Sequence, residues 1–226
     1  MNKKTLKRVL IIIFIVIIVL ACICGYLFMG GKVTDASDQV TEGEKGTKSL
    51  VVYFSRMGEI PGEPDAVSSA TVSSNSQLSG SDTQAGARMI QQLTGADLYQ
   101  IKTDRYYRKS FMGTAARAWI ENTFDLRPAL AAKPESLDQY DTIYVGYPIW
   151  WFNAPMAIGT FLESYDLSGK TIVPFCTSQD NDIDITMDYI RKTAGGATVL
   201  DGLRIHGMGP EEVEAWLKES KVILAQ

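Results

Sequence analysis

The distribution of apolar and polar residues divides the chain into three parts. Val9 to Met29 is a run of 21 residues without a charged side chain, and a helix of that length spans the ~30 Å hydrocarbon core of a bilayer. Residues 31–48 are poor in apolar side chains and rich in Gly, Thr, Asp and Glu, which is typical of flexible linkers. The pattern predicts a membrane anchor at residues 1–30, a linker at 31–48 and a folded domain at 49–226.

Short apolar runs alternate with amphipathic stretches throughout the predicted domain. Five runs have the β-branched and aromatic composition of strands buried on both faces. They cover residues 50–54, 97–101, 142–147, 171–175 and 197–200 with Leu203. Stretches with helical spacing follow them, at about residues 85–93, 112–122, 155–164, 185–193 and 210–217. Strands that alternate with helices form a parallel sheet with helices on both faces, so we expect an α/β fold.

Two details of this pattern can be compared directly with a structure. Ala116, Trp119 and Ile120 share one face of the second helical stretch, and we expect that face to be buried. Residues 59–82 break the alternation, because they contain seven serines, two prolines and two glycines. Their composition predicts an irregular loop inserted after the first strand, and a loop of this length is uncommon inside a compact domain.

The charges near the N-terminus predict the orientation of the anchor. Four basic residues, at positions 3, 4, 7 and 8, precede the apolar run, which favours a cytoplasmic N-terminus and an extracytoplasmic domain. We therefore expect a single-pass protein of the cell membrane. Two alternatives stay open. The segment Val19-Leu20-Ala21-Cys22 resembles a lipoprotein processing site, and a signal peptide cleaved without lipidation is also compatible with the sequence.

Composition argues against several classes of function. The chain has 22 basic and 26 acidic side chains, and four of the basic ones precede the apolar run, so the remainder carries a net charge of −8. An acidic domain is a poor match for nucleic acid, which is bound through clustered Lys and Arg. A single histidine and no Cys/His cluster argue against a zinc site or a histidine-based triad. Only Cys176 lies in the predicted domain, so no disulfide is expected within it.

In a parallel α/β sheet, ligands bind beyond the carboxyl ends of the strands, where the strand order reverses. The first strand is followed by Ser55-Arg56-Met57-Gly58, and Thr83 begins the next helical stretch. Hydroxyl groups and free N–H groups at a helix N-terminus can bind phosphate. The same residue types also serve as ordinary helix caps.

The loops after the third and fourth strands contain the other candidate residues. Trp150 and Trp151 follow the third strand, and exposing two indoles is costly. Either they stack on a planar ligand, or they cover the core or a neighbouring protein. The segment from Thr177 to Asn181 can present polar groups to a ligand or form an ordinary turn. Cys176 has no neighbouring base in the sequence, which disfavours a role as nucleophile.

At these positions the chain resembles the flavodoxin family. The segments that carry the resemblance are Val51–Gly58, Thr94–Ile101, Tyr140–Trp151, Ala154-Pro155, Thr160–Glu163 and Gly169–Ser178. Together they extend over nearly all of residues 49–226. The resemblance implies a three-layer sandwich with a five-stranded parallel sheet of order 2-1-3-4-5 and FMN as cofactor.

The resemblance also implies roles for the matching residues. Ser55, Arg56, Met57 and Thr83 would hold the FMN phosphate; Pro148, Ile149, Trp150 and Trp151 would flank the isoalloxazine; Thr177 and Ser178 would border its other side. The flavin carries the redox chemistry, so no catalytic side chain and no metal ligand are expected.

The expected function is that of a membrane-anchored FMN protein in electron transfer or in the reduction of a small acceptor. The redox partner stays open, as does the question whether the protein is an oxidoreductase driven by NAD(P)H or by another protein. An alternative is a flavin-free interaction module at the cell surface. It is motivated by the insertion between Gly58 and Thr83, by Met57 where the family has a hydroxyl, and by the acidic Asp82.

Overall fold

The structure is a computed structural model that describes residues 2–28, 30–34, 40–44, 47–56, 82–108, 110–205 and 207–220. Its helices are α1 (Lys3–Phe28), α2 (Asp82–Thr94), α3 (Phe111–Thr123), α4 (Met156–Leu162), α5 (Asp184–Thr193) and α6 (Pro210–Glu219). Its strands are β1 (Ser49–Phe54), β2 (Asp97–Ile101), β3 (Thr142–Pro148), β4 (Thr171–Thr177), β5 (Thr198–Val199) and β6 (Leu203–Arg204). Residues 57–81, which include Met57 and nearly all of the predicted insertion at 59–82, lie outside the described residues.

The strands form one parallel sheet in the order β2-β1-β3-β4-β5, with β6 also paired to β4. The predicted order 2-1-3-4-5 is therefore confirmed. In the central register Leu50 of β1 lies opposite Ile143 of β3, and Ile143 lies opposite Ile172 of β4. The chain adds β2 on one side of β1 and β3 on the other, so the strand order reverses between β1 and β3. The switch point therefore lies at the carboxyl ends of these two strands.

The predicted fifth strand is split into β5 and β6, and Pro174 in β4 accounts for the break. The carbonyl groups of Ile172 and Cys176 accept hydrogen bonds from Leu200 and Ile205 on this side of β4. Pro174 lies between them with its nitrogen directed to the same side, and it has no N–H to donate. The ladder is therefore interrupted at Pro174, and Gly202 passes so close that a Cβ there would be 3.0 Å from the Pro174 carbonyl oxygen.

Helices cover both faces of the sheet. One face packs against α2 and α6 through a cluster that includes Val51, Tyr144, Phe175, Ile90 and Val213. The other packs against α4 and α5 through a larger cluster in which Leu50, Ile143, Ile172, Phe161 and Ile190 are fully buried. This arrangement confirms the α/β sandwich that the alternation of apolar runs predicts.

The predicted buried face of α3 is wrong. Trp119 is 48% exposed, whereas Gly113, Thr114, Ala118 and Glu121 are the buried residues of this helix. The physical reason is that α3 buries a polar network rather than an apolar stripe. Glu121 accepts hydrogen bonds from the hydroxyl of Tyr107 at 2.5 Å and from Nε of Arg117 at 2.7 Å. A hydrophobic pattern cannot identify a face of that kind.

The N-terminal helix α1 packs against α3, and its apolar side chains between Val9 and Leu20 are exposed. Within the part of the chain that the structure describes, no helix is both long and apolar enough to cross a membrane. The structure therefore does not support the predicted transmembrane helix.

Residues 40–44 of the predicted linker lie along the free edge of β2. Thr41 and Leu98 exchange two backbone hydrogen bonds, of 2.8 and 2.9 Å, and the Gly43 N–H donates to the Asp97 carboxylate at 2.7 Å. Residues 40–44 thus cover an edge strand whose backbone groups would otherwise face solvent. The composition of this segment gives no indication of that contact.

Candidate cofactor site

Five polar residues among the predicted site residues are buried at the carboxyl edge of the sheet. Ser55 and Arg56 follow β1, and Thr83 lies at the start of α2. Thr177 ends β4, and Ser178 follows it. The hydroxyl groups of Thr83 and Thr177 are hydrogen-bonded at 2.6 Å, which joins the N-terminus of α2 to the end of β4. The crossover between β1 and β2 therefore brings the first turn of α2 back to the edge where the other residues lie.

The strand register brings the first loop to the same level. Tyr53 is paired with Gly146, and Pro148 is paired with Thr177. Ser55, two residues beyond Tyr53, is therefore level with Pro148 and Thr177. The three residues belong to three neighbouring strands, so the distance across them is roughly 10 Å. Residues that are far apart in the chain therefore lie together at the switch point.

The chemistry of this set fits a phosphate monoester. Four hydroxyl side chains and one guanidinium are hydrogen-bond donors, and guanidinium groups bind phosphate with charge-assisted bonds. The first turn of α2 adds N–H groups that have no partner within the helix, together with the positive end of the helix dipole. The residues present at this edge are therefore suited to the phosphate of FMN.

A tight hairpin turn follows β3. The Trp150 N–H donates to the Asn153 carbonyl at 2.8 Å, and the Asn153 N–H donates to the Trp150 carbonyl at 3.1 Å. The two residues between them, Trp151 and Phe152, have φ angles of 51° and 62°. Such a two-residue turn normally contains Asn or Gly. Aromatic residues in this left-handed region each cost about 1–3 kcal/mol, and such strain is concentrated at functional sites.

Helix α3 holds the turn in place. The indole N–H of Trp151 donates to the Ala115 carbonyl at 2.8 Å, and the Asn122 amide donates to the Trp151 carbonyl at 3.0 Å. The Asn153 amide in turn donates to the Asn122 side chain at 3.0 Å. The strained backbone is therefore fixed by side-chain hydrogen bonds while the Trp151 and Phe152 rings stay exposed.

The two tryptophans, which the sequence treats alike, have different environments. Trp150 is half-buried and packs edge-to-face on Phe54 and Tyr107, with ring centroids 5.4 and 5.1 Å apart. Trp151 is 47% exposed. The sequence allows two interpretations of this pair. Trp150 covers the core, whereas the ring of Trp151 is exposed and open to a planar partner.

Phe152 is 69% exposed beside Trp151 and is absent from the predicted site residues. The aromatic run in the sequence includes it, but only the backbone angles show that it lies at the tip of the turn. Pro148 is buried at the end of β3, and Ile149 donates its N–H to the Thr177 carbonyl at 3.1 Å. These two residues connect the turn to the hydroxyl cluster.

The loop after β4 is held by its own polar groups. Ser178 accepts a hydrogen bond from the Asn181 N–H at 3.0 Å, which is the geometry of a capped turn. Burial raises the pKa of the neighbouring Cys176 thiol to about 12, and the Asp182 carboxylate adds to the effect. Cys176 is therefore a neutral thiol near pH 7, which agrees with the argument against a nucleophilic role.

Comparison with known proteins identifies the family. The family model described as Flavodoxin matches residues 71–220. The chain belongs to the flavodoxin family. The predicted resemblance is thus confirmed, and membership supports FMN as the cofactor, because flavodoxins bind FMN at this switch point.

Solved structures agree with the assignment. A candidate flavoprotein from Bacteroides uniformis is 32% identical, covers 77% of this chain and 99% of its own, and has a TM-score of 0.61. Another from Bacteroides eggerthii is 29% identical, covers 78% and 99%, and has a TM-score of 0.62. A flavoprotein from Lactobacillus acidophilus in complex with FMN is 19% identical, covers 76% and 99%, and has a TM-score of 0.53, which supports the fold alone. No curated protein matches the chain significantly.

Proposed function

We propose that this flavodoxin domain binds FMN at the carboxyl edge of its sheet and acts in electron transfer or in the reduction of a small acceptor. The observation that carries the proposal is the hydrogen bond between Thr83 and Thr177. It joins the first turn of α2 to the end of β4 beside the buried Ser55 and Arg56, where a phosphate would meet hydroxyl, guanidinium and helix N–H donors.

Each part of the site has a separate task in this proposal. Ser55, Arg56, Thr83 and the first turn of α2 hold the phosphate dianion and exclude water from it. Trp151 and Phe152 give one face of the isoalloxazine an aromatic contact at the protein surface. When bound, FMN supplies the redox chemistry. The exposed turn leaves the flavin within reach of a partner protein or a small acceptor.

The same proposal places the protein at the cell membrane with its domain on the extracytoplasmic side. The charge-free run from Val9 to Met29, the basic residues before it and the exposed apolar side chains of α1 support this location. Soluble nicotinamide pools are cytoplasmic, so a redox partner or acceptor on the outer side is favoured over NAD(P)H. We expect the intact mass of the mature protein to equal that of the uncleaved chain, 24.9 kDa. A lipidated or shortened N-terminus would contradict an uncleaved N-terminal anchor.

The test of the flavin proposal is a visible spectrum. The full chain, purified in detergent and desalted, is expected to show flavin absorption near ~450 nm, because the chromophore belongs to the cofactor. If the preparation is colourless, titration with FMN should quench the fluorescence of the added flavin at a one-to-one ratio. A folded protein that is colourless and leaves the FMN fluorescence unchanged would refute the proposal.

One observation favours the alternative of a flavin-free interaction module at the cell surface. Trp150 packs into the core against Phe54 and Tyr107, so only one indole of the pair is open to a ligand. In that case the exposed Trp151 and Phe152 would contact another protein instead. The spectrum and the FMN titration separate the two functions.

A further inference from the structure

Helix α3 exposes the apolar face that its sequence pattern predicts to be buried. A stripe along the outside of this helix, called the α3 stripe below, consists at helical spacing of Met112, Ala116, Trp119 and Thr123. Met112 is 73% and Trp119 48% exposed, and Phe124, which directly follows the helix, is 66% exposed. An apolar helix face that the domain leaves uncovered is typical of a surface that contacts a partner.

The α3 stripe lies between two other parts of the molecule. On one side of it, Ile120 lies in the groove that α3 and α1 line together. On the other side, Ala115 and Asn122 form hydrogen bonds with the indole and the backbone of Trp151. A flat surface laid against the α3 stripe therefore also lies near the C-terminal end of α1 and near the Trp151 turn.

The charges around the α3 stripe have the opposite sign to those of the rest of the domain. Residues 104–123 contain four basic and two acidic side chains. Residues 9–226 carry a net charge of −8, so those outside this stretch carry −10. Of the two acids, Glu121 is buried and accepts from Arg117 at 2.7 Å, and Asp104 is half-buried, whereas Arg105 is exposed. The exposed charge beside the α3 stripe is thus mostly positive.

The charged residues just beyond α3 do not change this balance. Arg127 lies 2.6 Å from the Asp125 carboxylate and 2.7 Å from that of Glu163, and Lys192 lies 3.4 Å from Asp125. Two carboxylates and two cations form this network, so its net charge is zero.

This combination of an apolar stripe and positive surroundings selects one kind of partner. An anionic bilayer is negatively charged at its surface and apolar beneath it, so it complements both features. A second copy of the chain would bring the same positive charge to the contact, and like charges across an interface disfavour association.

We propose that the α3 stripe lies on the surface of an anionic lipid bilayer, with Met112 and Trp119 at the boundary between head groups and acyl chains. The exposed apolar side chains of α1 between Val9 and Leu20 bring the domain to that surface. Tryptophan is favoured at this depth because its ring is apolar and its N–H is polar. The proposal rests on the proposed membrane location, and it places the Trp151 turn beside the lipid.

Quenching of tryptophan fluorescence by brominated lipid tests the contact. The full chain is reconstituted into nanodiscs of phosphatidylglycerol with brominated or plain acyl chains, and the ratio of the two emissions cancels any quenching by bound flavin. We expect brominated lipid to quench the wild type and Trp119→Phe to lose about half of that quenching, since Trp151 also lies near the lipid. Phenylalanine keeps the α3 stripe apolar, so only the reporter is lost. Trp216→Phe is the matched control and should retain the quenching, because α3 packs beside α4 whereas α6 covers the opposite face of the sheet.

The charge of the lipid tests the complementarity without any substitution. In nanodiscs of phosphatidylcholine the quenching of the wild type should fall at least fivefold, because each basic side chain near an anionic surface contributes roughly that factor. Arg105→Gln should lower the quenching in phosphatidylglycerol about fivefold for the same reason. Arg88→Gln, on the exposed side of α2, is its control. Equal quenching of the wild type in the two lipids would overturn the requirement for an anionic surface.

Gel filtration of the nanodiscs reports the membrane location separately. A chain that co-elutes with the discs but shows the same quenching in the wild type and in Trp119→Phe overturns the docking of α3 and leaves the anchor in place. A chain that elutes free of the discs overturns the membrane location and the docking with it. Two chains in each disc without quenching, counted by mass photometry, assign the α3 stripe to a second copy instead.

Discussion

The two halves of the candidate cofactor site are built in opposite ways. None of the five polar residues at the phosphate half is more than 6% exposed, and they lie at strand and helix ends that the core fixes. At the ring half, Trp151 and Phe152 are 47% and 69% exposed on a turn with unfavourable backbone angles. One half is buried and hydrogen-bonded, and the other is exposed and strained.

This difference indicates a division of labour. Buried donors that are held in place before the ligand arrives lose little entropy on binding, so the phosphate half should dominate affinity. The strained turn should contribute less to affinity, and in the proposed function it keeps the aromatic rings at the surface, where electrons would leave or enter. Riboflavin contains the ring system of FMN without the phosphate, so a comparison of the two ligands separates the halves.

The largest effect is expected from Arg56 at the phosphate half. Arg56→Met removes a guanidinium whose charge-assisted bonds are worth roughly 1.5–3 kcal/mol, so FMN affinity should fall about 10- to 100-fold while riboflavin affinity stays unchanged. Quenching of flavin fluorescence measures both dissociation constants. Arg88→Met, on the exposed side of α2, is the control. Equal losses for FMN and riboflavin would show that Arg56 acts on the fold rather than on the phosphate.

The next effect concerns the hydrogen bond between Thr83 and Thr177. Thr83→Val or Thr177→Val leaves one buried hydroxyl without its partner, which should lower the free energy of unfolding by about 1–3 kcal/mol. In the double variant the free energy of unfolding should fall by about 1 kcal/mol less than the sum of the two single losses. The reason is that the second change removes the hydroxyl that the first change leaves without a partner. Urea unfolding measures all three values, with the exposed Thr198→Val as control. Additive losses would mean that the two hydroxyls do not interact.

At the ring half, the loss should be smaller and should not distinguish the two ligands. Trp151→Ala removes an aromatic contact worth about 0.5–1.5 kcal/mol, so FMN and riboflavin should both bind roughly three- to tenfold more weakly. Trp119→Ala is closely matched, because Trp119 is 48% exposed on α3 and Trp151 is 47% exposed. A Trp151→Ala variant with full affinity for both ligands would remove this residue from the ring site.

The parts of the molecule that the sequence predicts are those that follow from apolar periodicity and strand ends. Buried runs such as residues 50–54 locate the strands, and residues directly after a strand, such as Ser55 and Thr177, must lie at the carboxyl edge. The order of the strands is predicted only by the resemblance to the family, since alternation alone is compatible with several orders.

Other features depend on interactions that no pattern in the sequence reports. The gap between β5 and β6 arises because the nitrogen of Pro174 is directed toward them, which requires the register to be known. The buried face of α3 is polar and centred on Glu121, so hydrophobic spacing selected the wrong side. The exposure of Phe152 follows from a turn that two aromatic residues are not expected to adopt.

The smallest effect tests whether the ring half is strained. Phe152 has a φ of 62°, a conformation that glycine adopts without steric cost, so Phe152→Gly should raise the free energy of unfolding by about 0.5–1 kcal/mol. Phe124→Gly is the control, because Phe124 is similarly exposed, at 66%, but has a φ of −102°. It should be neutral or destabilising. Both are measured by urea unfolding. If Phe152→Gly raises the free energy of unfolding and also weakens the binding of riboflavin and of FMN equally, the unfavourable turn is maintained for the ring contact. If it gains no stability over Phe124→Gly, the turn is unstrained and the contrast between the two halves is reduced to burial alone.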